Sequence, residues 1–315
     1  MKALVTGGAG FIGSHLVRYL LDRGDEVVVL DDLRRGNKLD KESRASARLI
    51  RGDVRSTDTV HEACRDCDIV YQLAAVLGVD AVADNPLETM EVEVLGMRNL
   101  VEACTLHGIR KIVYSSTSGV YGKKFIETAV TEEVTPSPSS SYAIAKRFNE
   151  LYLAAAFQER GIHSISARFF NVYGPRQDER MVLPRFVAQA LAGEPITVYG
   201  SGKQTRDFTY VGDSVHALVE LGDKVDGCEL FNIARGEDIT IQEVAKIVKD
   251  FFHSESEIQN ITAPHTRYDF EVEKRSGNSA KLEAAIGYRP ATNFREGFER
   301  TYEAVSAKTR IARAS

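Results

Sequence analysis

Tyr142 and Lys146 stand four residues apart in SYAIAK, a stretch of helical character. On a helix that spacing puts both side chains on one face, so a phenol and an ammonium can act on one ligand. The chemistry is that of a base and the charge that tunes it, because a nearby cation favours the phenolate, which can take a proton from a hydroxyl. Tyr-x-x-x-Lys also recurs by chance, usually as two amphipathic surface residues. Here two further groups meet it. Ser115, Ser116 and Thr117 close the run KIVYSST, and Thr117 could donate to a substrate oxygen, although such a hydroxyl more often stabilises a turn. Gly7, Gly10 and Gly13 lie in TGGAGFIG near the start of the chain.

The elements that position these residues follow from periodicity. Lys2 to Thr6 is a short apolar run, and after the glycines Ile12, Leu16, Leu20 and Leu21 recur at helical spacing. A strand, a glycine turn and a helix in that order let the backbone approach a pyrophosphate at a helix N-terminus. The next run, EVVVL, ends at Asp31 and Asp32, about twenty residues past the turn, where a carboxylate can accept from ribose hydroxyls. That carboxylate would repel a 2′-phosphate and favours NAD over NADP, while Arg34 and Arg35 keep NADP as the minority reading. Further strand ends are expected at Gly52-Asp53-Val54 and, after DIVYQL, at Leu73, Ala74 and Ala75. Asp53 is placed to meet the adenine edge, and the two alanines leave room for a cofactor.

Glu88 to His107 reads as a long helix, Lys111 to Ser116 as a buried strand, Tyr142 to Arg160 as a helix capped by Ser139 to Ser141, and Ile162 to Phe170 as a sixth strand. The alternation predicts an α/β fold with a doubly wound parallel sheet of the Rossmann kind over residues 1–170. After Asn171 the period shortens, with helices near Leu183, Asp213, Ile241, Ser279 and Phe294 and a strand at Ile196 to Tyr199. Residues 171–315 are expected to form a smaller mixed α/β substrate lobe, with a segment near 208–233 returning to the first domain.

Composition bounds the function. The chain has 315 residues, a formal charge of −5 and 43% hydrophobic positions, which gives no basic field for nucleic acid. No run of about 20 uninterrupted apolar residues and no signal-peptide pattern occurs, so a soluble, cytoplasmic protein without membrane partners is expected. Cysteines at 64, 67, 104 and 228 read as structural thiols, and the histidines show no metal-ligand spacing, so no metal is expected.

With TGGAGFIGSHL, the aspartates after the second strand, SSTSGVYG, YAIAK, RFFNVYGPRQ and QTRDFTYVGD in order, the chain resembles the extended short-chain dehydrogenase/reductase family. More narrowly, it is similar to the branch that epimerises, dehydrates or decarboxylates nucleotide-activated sugars, as UDP-glucose 4-epimerases do. The resemblance implies that Gly7, Gly10, Phe11, Ile12 and Gly13 hold a pyrophosphate, Asp31 and Asp32 a ribose, and Asp53 and Val54 an adenine. It implies that Tyr142 and Lys146 flank the nicotinamide of NAD, that Asn171 faces substrate, and that Arg206 binds the nucleotide's phosphates. A second arginine comes from the C-terminal lobe in such proteins, with Arg267 and Arg275 as candidates. A homodimer built on the helices at Glu88 to His107 and Tyr142 to Arg160 is implied as well.

Several positions depart from that pattern. Relatives that eliminate water carry Thr-Asp-Glu where this chain has Thr117, Ser118 and Gly119, and decarboxylases keep a glutamate at the position of Gly119. Gln72 stands where histidine is frequent, Leu77 where some epimerases have lysine, and Glu93 where a helix asparagine is common. These departures favour epimerisation at C4 of a nucleotide diphosphate sugar, UDP-linked hexose or hexuronate first, over dehydration, decarboxylation or ketosugar reduction. A non-enzymatic NAD-bound sensor is disfavoured because a binding module needs no aligned base. On this reading Lys146, with the nicotinamide's positive charge, lowers the Tyr142 pKa.

Overall fold

The computed structural model describes residues 1–76, 78–122, 129–262 and 272–314. Among these, the parallel strands β1 (Lys2–Thr6), β2 (Glu26–Asp31), β3 (Arg48–Arg51), β4 (Ile69–Gln72), β5 (Lys111–Thr117) and β6 (His163–Phe169) alternate with α1 (Phe11–Asp22), α2 (Lys41–Ser46), α3 (Thr57–Cys64), α4 (Val79–Asp84), α5 (Pro86–His107) and α6 (Ser141–Arg160). After β7 (Asn171–Tyr173) come α7 (Val182–Ala192), β8 (Ile196–Tyr199), β9 (Thr205–Tyr210), α8 (Val211–Lys224), β10 (Cys228–Ile233), β11 (Asp238–Thr240), α9 (Ile241–Phe251), β12 (Ile258–Ile261), α10 (Ala280–Ile286) and α11 (Phe294–Ala314).

The main sheet runs β10-β6-β5-β4-β1-β2-β3, parallel throughout. Strand order reverses between β1 and β4, and open parallel sheets place ligands in the crevice beyond the carboxyl ends at such a point. Side chains alternate across the sheet, and β1 and β2 bury apolar residues on both faces, whereas the edge strand β3 is largely exposed. Ala3 and Val5 of β1 pack towards α1, α8 and α10 with Leu16, Leu20, Val215 and Leu282. Leu4 points the other way, towards α3, α5 and α6, with Val60, Met97, Leu100 and Leu153.

β10 extends the sheet beside β6, while α8 packs against α1. β7, β9 and β11 form a second sheet, and β8 pairs parallel with β12. A separate core of Leu183, Phe186, Val198, Phe208, Val244, Val248 and Phe298 holds these smaller layers together. β7 and β11, three residues each, are too short to show a period in the sequence, and β12 (IQNI) lacks the apolar run that marks β8 (ITVY), so pairing with distant strands makes all three. His15 on α1 contacts both the Pro175 carbonyl at 2.8 Å and Arg176 at 3.1 Å, so the segment after β7 is tied to the first helix.

Beneath the β5 end lies a buried polar network. Arg168 on β6 is fully buried and donates to both Glu150 oxygens at 2.8 Å. Glu150 also accepts from Ser116 at 2.6 Å and Arg147 at 2.8 Å, and Arg168 donates to the Tyr121 hydroxyl at 3.0 Å. Tyr121 in turn donates to Asn232 of β10 at 2.7 Å. Arg168 holds the Glu150 carboxyl below its usual range against the opposing effect of burial. Replacing Arg168 with methionine should cost about 3–5 kcal/mol, measured by urea unfolding, because Glu150 loses its buried counter-charge. The stability that Glu150 contributes in the native chain should be present above its unfolded pKa and disappear as pH falls through the lower folded value.

Candidate active site

The main sheet gathers the chemistry at its carboxyl edge. Thr6 ends β1 and leads into the glycine turn, Asp31 ends β2, Gln72 ends β4 and Thr117 ends β5. In the turn, Gly7 has φ +65°, and a Cβ there would come within 2.7 Å of the Ala74 amide nitrogen. A Cβ on Gly13 would overlap the Gly7 carbonyl. The turn closes with Gly10 donating to Gly7 O at 3.1 Å, and Gly10 caps α1 without a side chain to occupy the amides of the first turn. The result is a bare, positively polarised helix end under a backbone cradle, the arrangement that receives a phosphate group.

Asp31 and Asp32 differ in their surroundings. Asp31 accepts from Ala9 N at 3.0 Å and Leu33 N at 2.8 Å, so its carboxylate braces the glycine loop. Burial nonetheless raises its pKa. Asp32 is exposed, accepts from Arg34 N at 2.9 Å and lies 3.3 Å from Arg34 Nε. Arg34 also reaches Glu88 at 2.8 Å and Arg35 reaches Asp178 at 3.2 Å, so carboxylates engage both arginines that kept NADP in consideration. Asp53 is held by Arg55 at 2.6 Å, which lowers its pKa, and Val54 is buried against Gly96 of α5. Leu73 and Ala74 amides both face the Thr6 hydroxyl, at 3.2 and 3.3 Å, and Ala75 follows, half-buried. Gln72 is buried and hydrogen-bonds Thr6 and the Ala74 carbonyl, a structural task at this strand end.

α6 begins as its sequence suggests, with Ser140 accepting from Ala143 N at 3.2 Å. The helix brings Tyr142 and Lys146 against the end of β5. The Thr117 hydroxyl faces the Tyr142 phenol closely enough to lower its pKa, and it accepts from Gly119 N at 3.1 Å. Ser118 is buried, and a Cβ on Gly119 would lie 3.3 Å from the Thr117 hydroxyl, a close but accommodable approach. Neither position carries a carboxylate.

Lys146 is buried, donates to the Ser115 carbonyl at 2.7 Å and has its Nζ 5.5 Å from the Tyr142 ring centre. Its partner is Glu93 of α5, 2.9 Å away and fully buried. The expectation from the sequence is that Lys146 and the nicotinamide's positive charge together lower the Tyr142 pKa. In the protein alone, burial first and then the Glu93 charge push the phenol up, and the Thr117 hydroxyl opposes both. Sequence reading noted Glu93 as a departure and missed its place in the site. The available signal was a carboxylate on the buried stripe of α5, beside Thr89, Val92, Gly96 and Met97.

The substrate-side candidates lie beyond this edge. Asn171 is exposed in β7, paired opposite Phe208 of β9, the strand that carries Arg206. Arg206 donates to Thr205 O at 2.7 Å and Val272 O at 2.6 Å. Arg275 donates to the Gly122 carbonyl, and burial followed by the nearby Arg206 charge lowers its pKa to about 10. Two guanidiniums close enough to repel one another suit a ligand with several negative charges. Arg267 and Leu77 lie outside the described residues. Among the described residues no helix is long and apolar enough to cross a membrane, and no group of His, Cys, Asp and Glu could hold a metal ion.

Residues 3–234 match the model of the NAD dependent epimerase/dehydratase family. The chain belongs to this family. A UDP-N-acetyl-alpha-D-glucosaminuronate decarboxylase from Bacillus cytotoxicus is 35% identical, with 96% of this chain and 97% of that protein covered. A UDP-glucose 4-epimerase from Thermotoga maritima, solved with UDP-glucose, superposes with a TM-score of 0.91 at 31% identity, covering 98% of this chain and 99% of that one. The Thermus thermophilus UDP-glucose 4-epimerase, solved with NAD, gives 0.88 at 34% identity over 98% and 99% of the two chains. Extended short-chain architecture and dependence on NAD follow from this membership, as the resemblance implied.

The residues present fit NAD: the bare glycine cradle suits a pyrophosphate, and carboxylates already engage the two nearby arginines that would otherwise attract a 2′-phosphate. Substituting Gly13 with alanine should open the turn through its overlap with the Gly7 carbonyl. The dinucleotide released on denaturing the purified variant, quantified by chromatography, should fall at least about tenfold, equivalent to about 1.4 kcal/mol of binding.

Proposed function

We propose that this NAD-dependent enzyme inverts C4 of a nucleotide diphosphate sugar, with a UDP-linked hexose or hexuronate as the favoured substrate. The observation that carries the reading is the Thr117–Tyr142 hydroxyl pair beside a segment, Ser118 and Gly119, that offers no carboxylate. Epimerisation needs one base that takes and returns a single proton. Elimination of water needs a further acid and base at the sugar.

In this reading Gly7, Gly10, Phe11, Ile12 and Gly13 receive the cofactor's pyrophosphate, Asp32 its ribose with Asp31 bracing the loop, and Asp53 and Val54 its adenine. Leu73, Ala74 and Ala75 border its path towards Tyr142 and Lys146. NAD supplies a hydride acceptor and donor at C4. Tyr142 takes the C4 hydroxyl proton as the hydride leaves, and Thr117 holds the same oxygen by a hydrogen bond. Ser118, Gly119 and Asn171 border the sugar, and Arg206 with Arg275 anchors the diphosphate. Anchoring at the diphosphate lets the 4-keto sugar turn and present its other face. Tyr142 then gives the proton back, so neither protons nor electrons are consumed overall.

The decarboxylase among the relatives supports a second reading, in which the same oxidation at C4 of a uronate makes a β-keto acid that loses carbon dioxide. Incubating the holoenzyme with UDP-glucose, UDP-N-acetylglucosamine and UDP-glucuronate, without added NAD, separates the two. A 4-epimer of unchanged mass is expected from at least one of them, and a product lighter by carbon dioxide would replace the first reading with the second. Changing Tyr142 to phenylalanine should retain the bound dinucleotide and lower turnover by about 10²–10⁴-fold.

The homodimer is proposed from an apolar face of α5 and α6, where Leu87, Ile144, Phe148 and Leu151 are exposed although the two helices pack on each other. A second copy of this face would cover it by two-fold symmetry. Light scattering should give twice the chain mass of 34.8 kDa, and Phe148→Glu should return it to the single-chain value.

A further inference from the structure

The buried Glu93 carboxylate has no part in the mechanism above, yet it stands closer to Lys146 than any other charge described. Its Oε1 is 2.9 Å from Lys146 Nζ, and its Oε2 accepts from the Tyr114 hydroxyl at 3.0 Å and Asn149 Nδ2 at 3.2 Å. Asn149 donates to the Glu93 carbonyl as well, at 3.1 Å. Glu93 and Asn149 are fully buried, as is Tyr114. A carboxylate with three partners in a sealed pocket is fixed in place, and it fixes the ammonium that faces it.

The charged and titratable groups meeting here are Lys146 and Tyr142 from α6, Tyr114 from β5 and Glu93 from α5. The next carboxylate on α6, Glu150, is engaged by Arg168 and Arg147. Burial raises the Glu93 pKa, and Lys146, Tyr114 and Asn149 oppose that rise. When ionised, Glu93 matches the positive charge 5.5 Å from the Tyr142 ring, and the set around the phenol is neutral.

We propose that Glu93 is a positioning residue for the Tyr142–Lys146 pair: it locks the Lys146 ammonium onto β5 and offsets its charge, so that the Tyr142 phenol stays protonated until the positively charged nicotinamide ring is bound. Proton removal is thereby tied to the presence of a hydride acceptor. With the reduced, uncharged ring the phenol keeps the proton it has taken, ready to return it. The inference rests on Tyr142 being the base, the reading proposed above.

Tyrosine ring ¹³C NMR of the holoenzyme tests it, with the Tyr142 signal assigned by its loss in Tyr142→Phe among the 12 tyrosines of the chain. With the nicotinamide reduced, Glu93→Gln should bring the Tyr142 midpoint down by at least about one pH unit relative to the native chain, the size of shift a neighbouring charge produces. Tyr114→Phe cuts a hydrogen bond to Glu93 without changing charge, and should leave that midpoint within a few tenths of a unit. Equal midpoints in Glu93→Gln and the native chain overturn the proposal, as does an equal fall in Tyr114→Phe. Should Glu93→Gln fail to fold, Glu93→Asn takes its place with the same expected fall in the Tyr142 midpoint, and a midpoint equal to that of the native chain overturns the proposal. In turnover, Glu93→Gln should move the acid limb of kcat to lower pH with KM unchanged. A uniform fall in kcat without that displacement marks packing only and overturns the proposal. Loss of the base assignment shows itself separately, as undiminished turnover in Tyr142→Phe.

Discussion

A single buried ammonium organises this protein. Lys146 sits between the Ser115 carbonyl and the Glu93 carboxylate, and its placement joins β5, α5 and α6 at the point where the sheet ends. An unpaired ammonium at such depth would carry a large desolvation cost, so its two partners are conditions of its presence there. They also determine what the charge can do. At an effective dielectric near 20, unit charges 5–6 Å apart interact by about 3 kcal/mol, worth about two pKa units. With Glu93 opposite, much of that influence on Tyr142 is cancelled, and burial, the larger effect, is left to raise the phenol's pKa.

The scaffold around this point serves its rigidity. The Arg168–Glu150 pair, its bond to Tyr121 and the onward bond to Asn232 tie α6, β6, the turn after β5 and β10 into one unit. The placement of Tyr142 over Thr117 thus depends on contacts some distance from either residue. At the opposite side of the crevice Asp31 plays the matching part, bracing the glycine loop by accepting from Ala9 and Leu33. Both devices spend buried polar groups on geometry, the use for which precise catalytic placement calls.

The chemistry of this edge is generic up to a point. Removing a hydride and a proton from one carbinol begins epimerisation, dehydration and decarboxylation alike, and relatives with different reactions share the fold at over 30% identity. What distinguishes outcomes is the next functional group, and here Ser118 and Gly119 supply none that ionises near neutrality.

The parallel sheet, the glycine turn, the long helices and the face shared by Tyr142 and Lys146 were legible in the sequence because each depends on residues within a few positions of one another. Apolar runs, a helical period and a capping serine act over one or two turns, and the chain records them locally. The short strands β7, β11 and β12 left no such trace, since pairing with partners far along the chain is what makes them strands. The sign of the electrostatic effect on Tyr142 was equally beyond local reading. It depends on Glu93, brought by α5 from 53 positions before Lys146 to within 2.9 Å of it. A charge's effect depends on distance through space and on exclusion of water, and both arise only when the helices have packed.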